Sequence, residues 1–140
     1  MRRVLAVLLC LTALSACETT DPTTNTTSLP TSPTNPTIET FNGTVQAQGK
    51  DIKLFTVSLS GGTLAVTLTT VTPNIQMSLG VGTWDGTTCT LLQSPSLVGA
   101  SAAPQLEGQV NLGSYCVVVA DALTGAQTGP VTYSVTVAHY

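Results

Sequence analysis

Phe55-Thr56-Val57-Ser58-Leu59-Ser60-Gly61-Gly62-Thr63-Leu64-Ala65-Val66-Thr67-Leu68 is two runs of alternating residues around a glycine pair. Phe55, Val57 and Leu59 fall on one side of an extended chain, with Thr56, Ser58 and Ser60 on the other. That period of two is produced by a strand with one buried face. Leu64, Val66 and Leu68 repeat it, with Ala65, Thr67 and Thr69 facing away. Gly61-Gly62 turns the chain between the runs, so they are predicted to pair as a hairpin.

The same signature continues on both sides. Strands are predicted at Thr40–Ala47, at Ile75–Val81 with Met77 and Leu79 inward, at Gln105–Leu112, at Ser114–Ala120, and at Val131–Ala138 with Tyr133, Val135 and Val137 inward. Strands with one apolar face each must bury those faces against one another. The expected fold is therefore all-β, an antiparallel β-sandwich of about seven strands over residues 38–140. The stretch 82–104 alternates weakly and holds Trp84-Asp85-Gly86-Thr87-Thr88-Cys89, a turn signal followed by a thiol. It is predicted as the longest loop.

Composition agrees with an exported β protein. Charged residues make up 8% of the chain, and Thr, Ser, Gly, Val and Leu dominate where helix formers are scarce. Nucleic-acid binding is excluded, because phosphate neutralisation needs clusters of Lys and Arg. The one histidine, His139, is the penultimate residue, so it is expected at a frayed end and makes a poor general base.

From Glu18 to Thr37 nearly every residue is Thr, Ser, Pro, Asn or Asp. Such a segment has little apolar surface to offset the entropy of ordering, and it is predicted to be a disordered tether. Before it, Arg2-Arg3 and an apolar run end at Leu14-Ser15-Ala16-Cys17. The run is shorter than the roughly 20 residues a bilayer span needs. With these four residues the N-terminus resembles a bacterial lipoprotein signal, in which residues 1–16 are removed and Cys17 receives a diacylglycerol. The resemblance implies a membrane anchor through lipid, with residues 17–37 as lipidated Cys plus linker. Glu18, rather than Asp, follows the lipidated position, and by that resemblance the outer membrane is expected over the inner. The chain from Cys17 on would carry two lysines against seven carboxylates, a formal charge of −5.

With Cys10 in the signal and Cys17 lipidated, Cys89 and Cys116 remain. In an oxidising compartment two such thiols pair as a disulfide; a redox or metal-binding pair is the alternative. A disulfide would staple the 82–104 excursion to the strand Ser114–Ala120.

The order of the strand motifs adds a second resemblance. Phe55-x-Val57, the Gly62-led Leu64-x-Val66-x-Leu68, Ile75-x-Met77-x-Leu79, Gly113-x-Tyr115-x-Val117 and Tyr133-x-Val135-x-Val137 look like the bacterial pre-peptidase C-terminal domain, over roughly residues 40–138. That resemblance implies a jelly-roll-like sandwich with a binding or secretion role rather than a catalytic one. The acidic positions that the family links to Ca²⁺ are here mostly Asn74, Gln76 and Ser78.

No catalytic residues, cofactor or metal site are assigned. Glu39, Asp51, Asp85, Glu107 and Asp121 stand singly near predicted strand ends, as solvated loop acids do. Asp51 and Asp121 are kept as an alternative Ca²⁺ pair. Trp84 and Asp85 are the candidate binding residues, Trp84 either stacking on a partner or folding back over the sandwich edge. Tyr115 and Tyr133 are in phase with the core. The function expected is a non-catalytic envelope lipoprotein that binds a protein or a glycan or serves envelope structure. A Ca²⁺-dependent module or an enzyme with an unrecognised site are the alternatives.

Overall fold

Each alternating run becomes a strand because pairing satisfies its backbone while its apolar side chains meet a second sheet. The computed structural model describes residues 35–59, 61–124 and 126–140. The expected signal peptide, the lipidation of Cys17 and nearly all of the 17–37 tether lie outside these residues.

Nine strands form among the described residues: β1 (Thr37–Val45), β2 (Lys50–Val57), β3 (Gly62–Thr72), β4 (Met77–Trp84), β5 (Cys89–Leu91), β6 (Ser96–Val98), β7 (Leu106–Val110), β8 (Gly113–Asp121) and β9 (Val131–His139). They make two antiparallel sheets, one ordered β1-β9-β3-β7 and the other β2-β8-β4-β5, with β6 also paired to β4. The antiparallel β-sandwich expected from alternation is the fold found.

Between the sheets lie Phe55, Val57, Leu64, Val66, Leu68, Met77, Leu79, Val117, Val119, Val135 and Val137, all buried. Each such side chain contributes about 1.5–3 kcal/mol by leaving water. The Phe55 and Tyr115 rings stack with centroids 5.7 Å apart. The Tyr115 hydroxyl leaves the core and donates to the Asn111 carbonyl at 3.0 Å. β3 changes phase at a bulge between Leu68 and Thr70, so its inward series passes from Leu64, Val66 and Leu68 to Val71.

Two expectations are corrected. The 55–68 runs are not a hairpin: β2 pairs β8, whereas β3 pairs β9 and β7 in the other sheet. The connection is an arch between sheets, and Gly61 supports it with φ +74°. Alternation identifies the buried face of a strand but not the sheet that holds it. The 82–104 stretch is also more ordered than a loop. β4 runs on to Trp84, and β5 and β6 both line the edge of β4 that faces away from β8. Strands of three residues carry too few positions for alternation to register, hence nine strands where seven were expected.

Candidate functional site

The outward faces of the two sheets differ in chemistry. On the four-stranded sheet, ladder register aligns Thr40, Thr136 and Thr67 across three strands, then Asn42, Ser134 and Thr70, then Thr44, Thr132 and Thr72. Hydroxyls and amides cover this face except at one end, where Ile38, Ala138 and Ala65 align and the row ends on β7 in the Glu107 carboxylate.

On the five-stranded sheet the outward rows are Lys50, Ala120, Ser78 and Leu97; Ile52, Val118 and Gly80; and Leu54, Cys116, Gly82 and Leu91. This face is apolar. Leu54 is 47% exposed, Leu97 51% and Leu91 36%. The sequence carried a signal for it that alternation arguments pass over. In the unbroken run Tyr115–Ala120, and in Ile52 and Leu54 out of phase with Phe55, apolar residues occupy both parities, as in a strand with two apolar faces.

The predicted disulfide is present. Cys89 and Cys116 are bonded, with Cα atoms 6.0 Å apart. Cys116 points outward yet has no exposure, because its bond to Cys89 ties β5 over that side of the sheet. Glycines make room for the overlay. A Cβ on Gly80 would stand 3.0 Å from Leu91 Cδ2, and one on Gly82 would strike the Thr90 carbonyl oxygen. Along this face a groove of about 230 Å³ is lined by Lys50, Ile52, Gly80, Leu91, Pro95 and Val118, among others. A second cleft of about 170 Å³ opens between β7 and Leu92, with Leu64, Val81 and Leu106 as its floor.

Trp84 ends β4 opposite Cys89 and is half-buried, at the rim of the apolar face. The Asp85 carboxylate is engaged by its own turn: Oδ1 accepts from Thr87 N at 2.8 Å, Thr88 N at 2.7 Å and Thr87 Oγ1 at 3.0 Å. The Thr87 and Thr88 amides, then the Thr87 hydroxyl, hold its pKa below the ordinary carboxylate value.

Asp51 and Asp121, the alternative Ca²⁺ pair, serve separate local structures. Asp51 Oδ2 accepts from the Tyr133 hydroxyl at 2.9 Å and lies 3.1 Å from Lys53 Nζ. Asp121 accepts from Gln48 N at 2.7 Å and Leu123 N at 2.9 Å. Among the described residues no three His, Cys, Asp or Glu side chains gather as a metal site.

His139 is not at a frayed end. It is the last residue of β9, 4% exposed, with Nε2 2.9 Å from Glu39 Oε1 and its ring 5.6 Å from that of Phe55. The residue was misplaced because nearness to the terminus says nothing about pairing, and β9 is held on both sides by β1 and β3.

No protein-family model matches the chain, and no curated protein does. A solved structure shares the fold: the crystal structure of Aeromonas hydrophila PliG, a periplasmic lysozyme inhibitor of g-type lysozyme. Its TM-score is 0.52 at 15% identity, with 80% of this chain and 93% of that chain covered.

Proposed function

We propose that this protein is a non-catalytic lipoprotein of the bacterial cell envelope whose sandwich binds a protein partner through the outer face of the five-stranded sheet. The observation that carries the reading is the difference between the two outward faces. A sheet face lined by Ile52, Leu54, Leu91, Leu97 and Val118 loses free energy of hydration only when something covers it. The hydroxyl-covered face has no such need. Trp84 stands at the rim of the apolar face, where an aromatic side chain adds contact area at low entropic cost.

Attachment is read from Leu14-Ser15-Ala16-Cys17, with Cys17 lipidated and residues 17–37 as linker to the outer membrane. Similarity of fold to a periplasmic lysozyme inhibitor supports an envelope role without an active site of its own. The strand-motif order supports kinship with pre-peptidase C-terminal domains.

The test is site-specific photo-crosslinking in cells from the outer sheet face, with Leu54→Gln as the comparison, alongside direct binding to a g-type lysozyme. A defined partner crosslinked from this face and lost in Leu54→Gln is the expected result. Crosslinking equal from Thr40 and Thr132, on the opposite face, overturns the assignment of the face. Absence of lysozyme binding removes that partner alone.

A further inference from the structure

We propose that the groove beside Lys50, on the outer face of the five-stranded sheet, binds a single-chain amphiphile with an anionic head, a free fatty-acid carboxylate. Its lining is the row Ile52, Val118 and Gly80, the neighbouring row Lys50, Ala120 and Ser78, and Leu91, Pro95 and Cys89 from the β5 side. The room left by the missing side chain of Gly80 is taken by Leu91, which leans across the sheet there and closes one wall of the groove. The space, about 230 Å³, compares with about 30 Å³ for a water in the liquid. It matches about eight waters, or a similar number of methylene groups, so it suits one slender chain rather than a bulky ring system. Methylenes are favoured there because they replace water against aliphatic walls.

The charge pattern selects the head group. Lys50 lines one end of the groove. Among the described residues Lys53 is the other amine, and it is bonded to Asp51, whereas Lys50 makes no ion pair. No carboxylate lines the groove. A mostly apolar trough ending at one ammonium without an ion pair, with the Ser78 hydroxyl in the same row, complements a negative head and disfavours a positive one. The site lies on the face proposed for protein contact but does not rest on that reading, since Leu54 is not part of the groove lining.

The experiment titrates sodium dodecanoate, and dodecyltrimethylammonium as the probe of opposite charge, into the full chain carrying Cys17→Ser. Both stay below their micellar concentrations, and binding is followed by calorimetry and by the Val118 and Ala120 amide resonances. Dodecanoate is expected to saturate at one per chain and to bind about tenfold more tightly than the cation. Lys50→Ala removes that preference, Ile52→Asp abolishes dodecanoate binding, and Leu54→Gln leaves it unchanged. Equal affinity for the two probes, an unaltered preference in Lys50→Ala, or no saturable binding overturns the proposal. So does Lys50-dependent binding to phosphatidylglycerol vesicles without binding of dodecanoate, which assigns the face to a bilayer surface.

Discussion

At the scale of single residues, the tightest spot lies where β1, β2 and β9 meet. Gly43 faces Tyr133 in the β1–β9 ladder. A Cβ there would stand 2.6 Å from the Tyr133 hydroxyl oxygen and would also overlap Asp51 Oδ2. Gly43→Ala is therefore expected to cost about 1–3 kcal/mol, as overpacking does, read as a lower urea midpoint. Tyr133→Phe removes the hydrogen bond to Asp51 without removing packing and is expected to cost about 1 kcal/mol. Its pH dependence gives a second check. Burial, then the hydrogen bond and the negative charge of Asp51, hold the Tyr133 pKa well above its ordinary 10.0. The native state keeps a proton that the unfolded chain releases near pH 10. This contribution to stability is complete below that pH and is lost as pH rises above it. Alkaline unfolding should accordingly be steeper in the native sequence than in Tyr133→Phe. The inward phase of Tyr133 was legible in its strand. Its bond to Asp51 was not, because two residues 82 positions apart are joined by sheet topology rather than by any local pattern.

Among elements, the edge of β4 and the edge of the far half of β3 that faces away from β9 depend on side chains and short contacts rather than on long ladders. β7 pairs β3 only as far as Val66. Beyond it, Gln105 substitutes for a strand: its Oε1 accepts from Leu68 N at 2.7 Å and its Nε2 donates to the Gly99 carbonyl at 2.7 Å. Gln105→Leu leaves both backbone groups without their partner and is expected to cost about 1–3 kcal/mol, measurable together with faster amide exchange at Leu68. The disulfide does the corresponding work for β5, a strand of three residues. It joins cysteines 27 positions apart, and the loop-entropy model puts its contribution at about 3–4 kcal/mol. Cys89→Ser with Cys116→Ala should lower stability by about that much, and exchange protection should be lost first in β5. The thiol pairing was legible from the count of cysteines, and the long strands from alternation. The arch between β2 and β3 was hidden because Gly61-Gly62 serves a turn within a sheet and a crossing between sheets equally well. β5 and β6 were hidden because their order comes from the disulfide and from β4, not from their own sequence.

Over the whole molecule, few charges put the burden of solubility on hydroxyls and amides, and these are not spread evenly. The Thr40, Thr132 and Thr136 face can meet water through its hydroxyls, while the Ile52, Leu54, Leu91 and Val118 face cannot. Exposed Ile38, Leu59, Leu112 and Leu123 sit at strand ends and turns, scattered singly as on most proteins, and Leu92 borders the cleft beside β7. Among the described residues, the outer face of the five-stranded sheet is the one that gathers such side chains into neighbouring rows. If that grouping governs how the protein meets other surfaces, two pairs of substitutions should separate. Leu54→Gln with Leu97→Gln exchanges two half-exposed leucines for amides, and it should leave stability within about 0.5 kcal/mol per site, since neither side chain is in the core. Retention on a hydrophobic-interaction column should nevertheless fall clearly. Thr40→Gln with Thr132→Gln, on the opposite face, should leave both stability and retention close to the starting values. Equal loss of retention from both pairs would mean that hydrophobic contact is distributed over the whole surface. The face around Leu54 would then have no special claim as the surface this sandwich turns towards a partner.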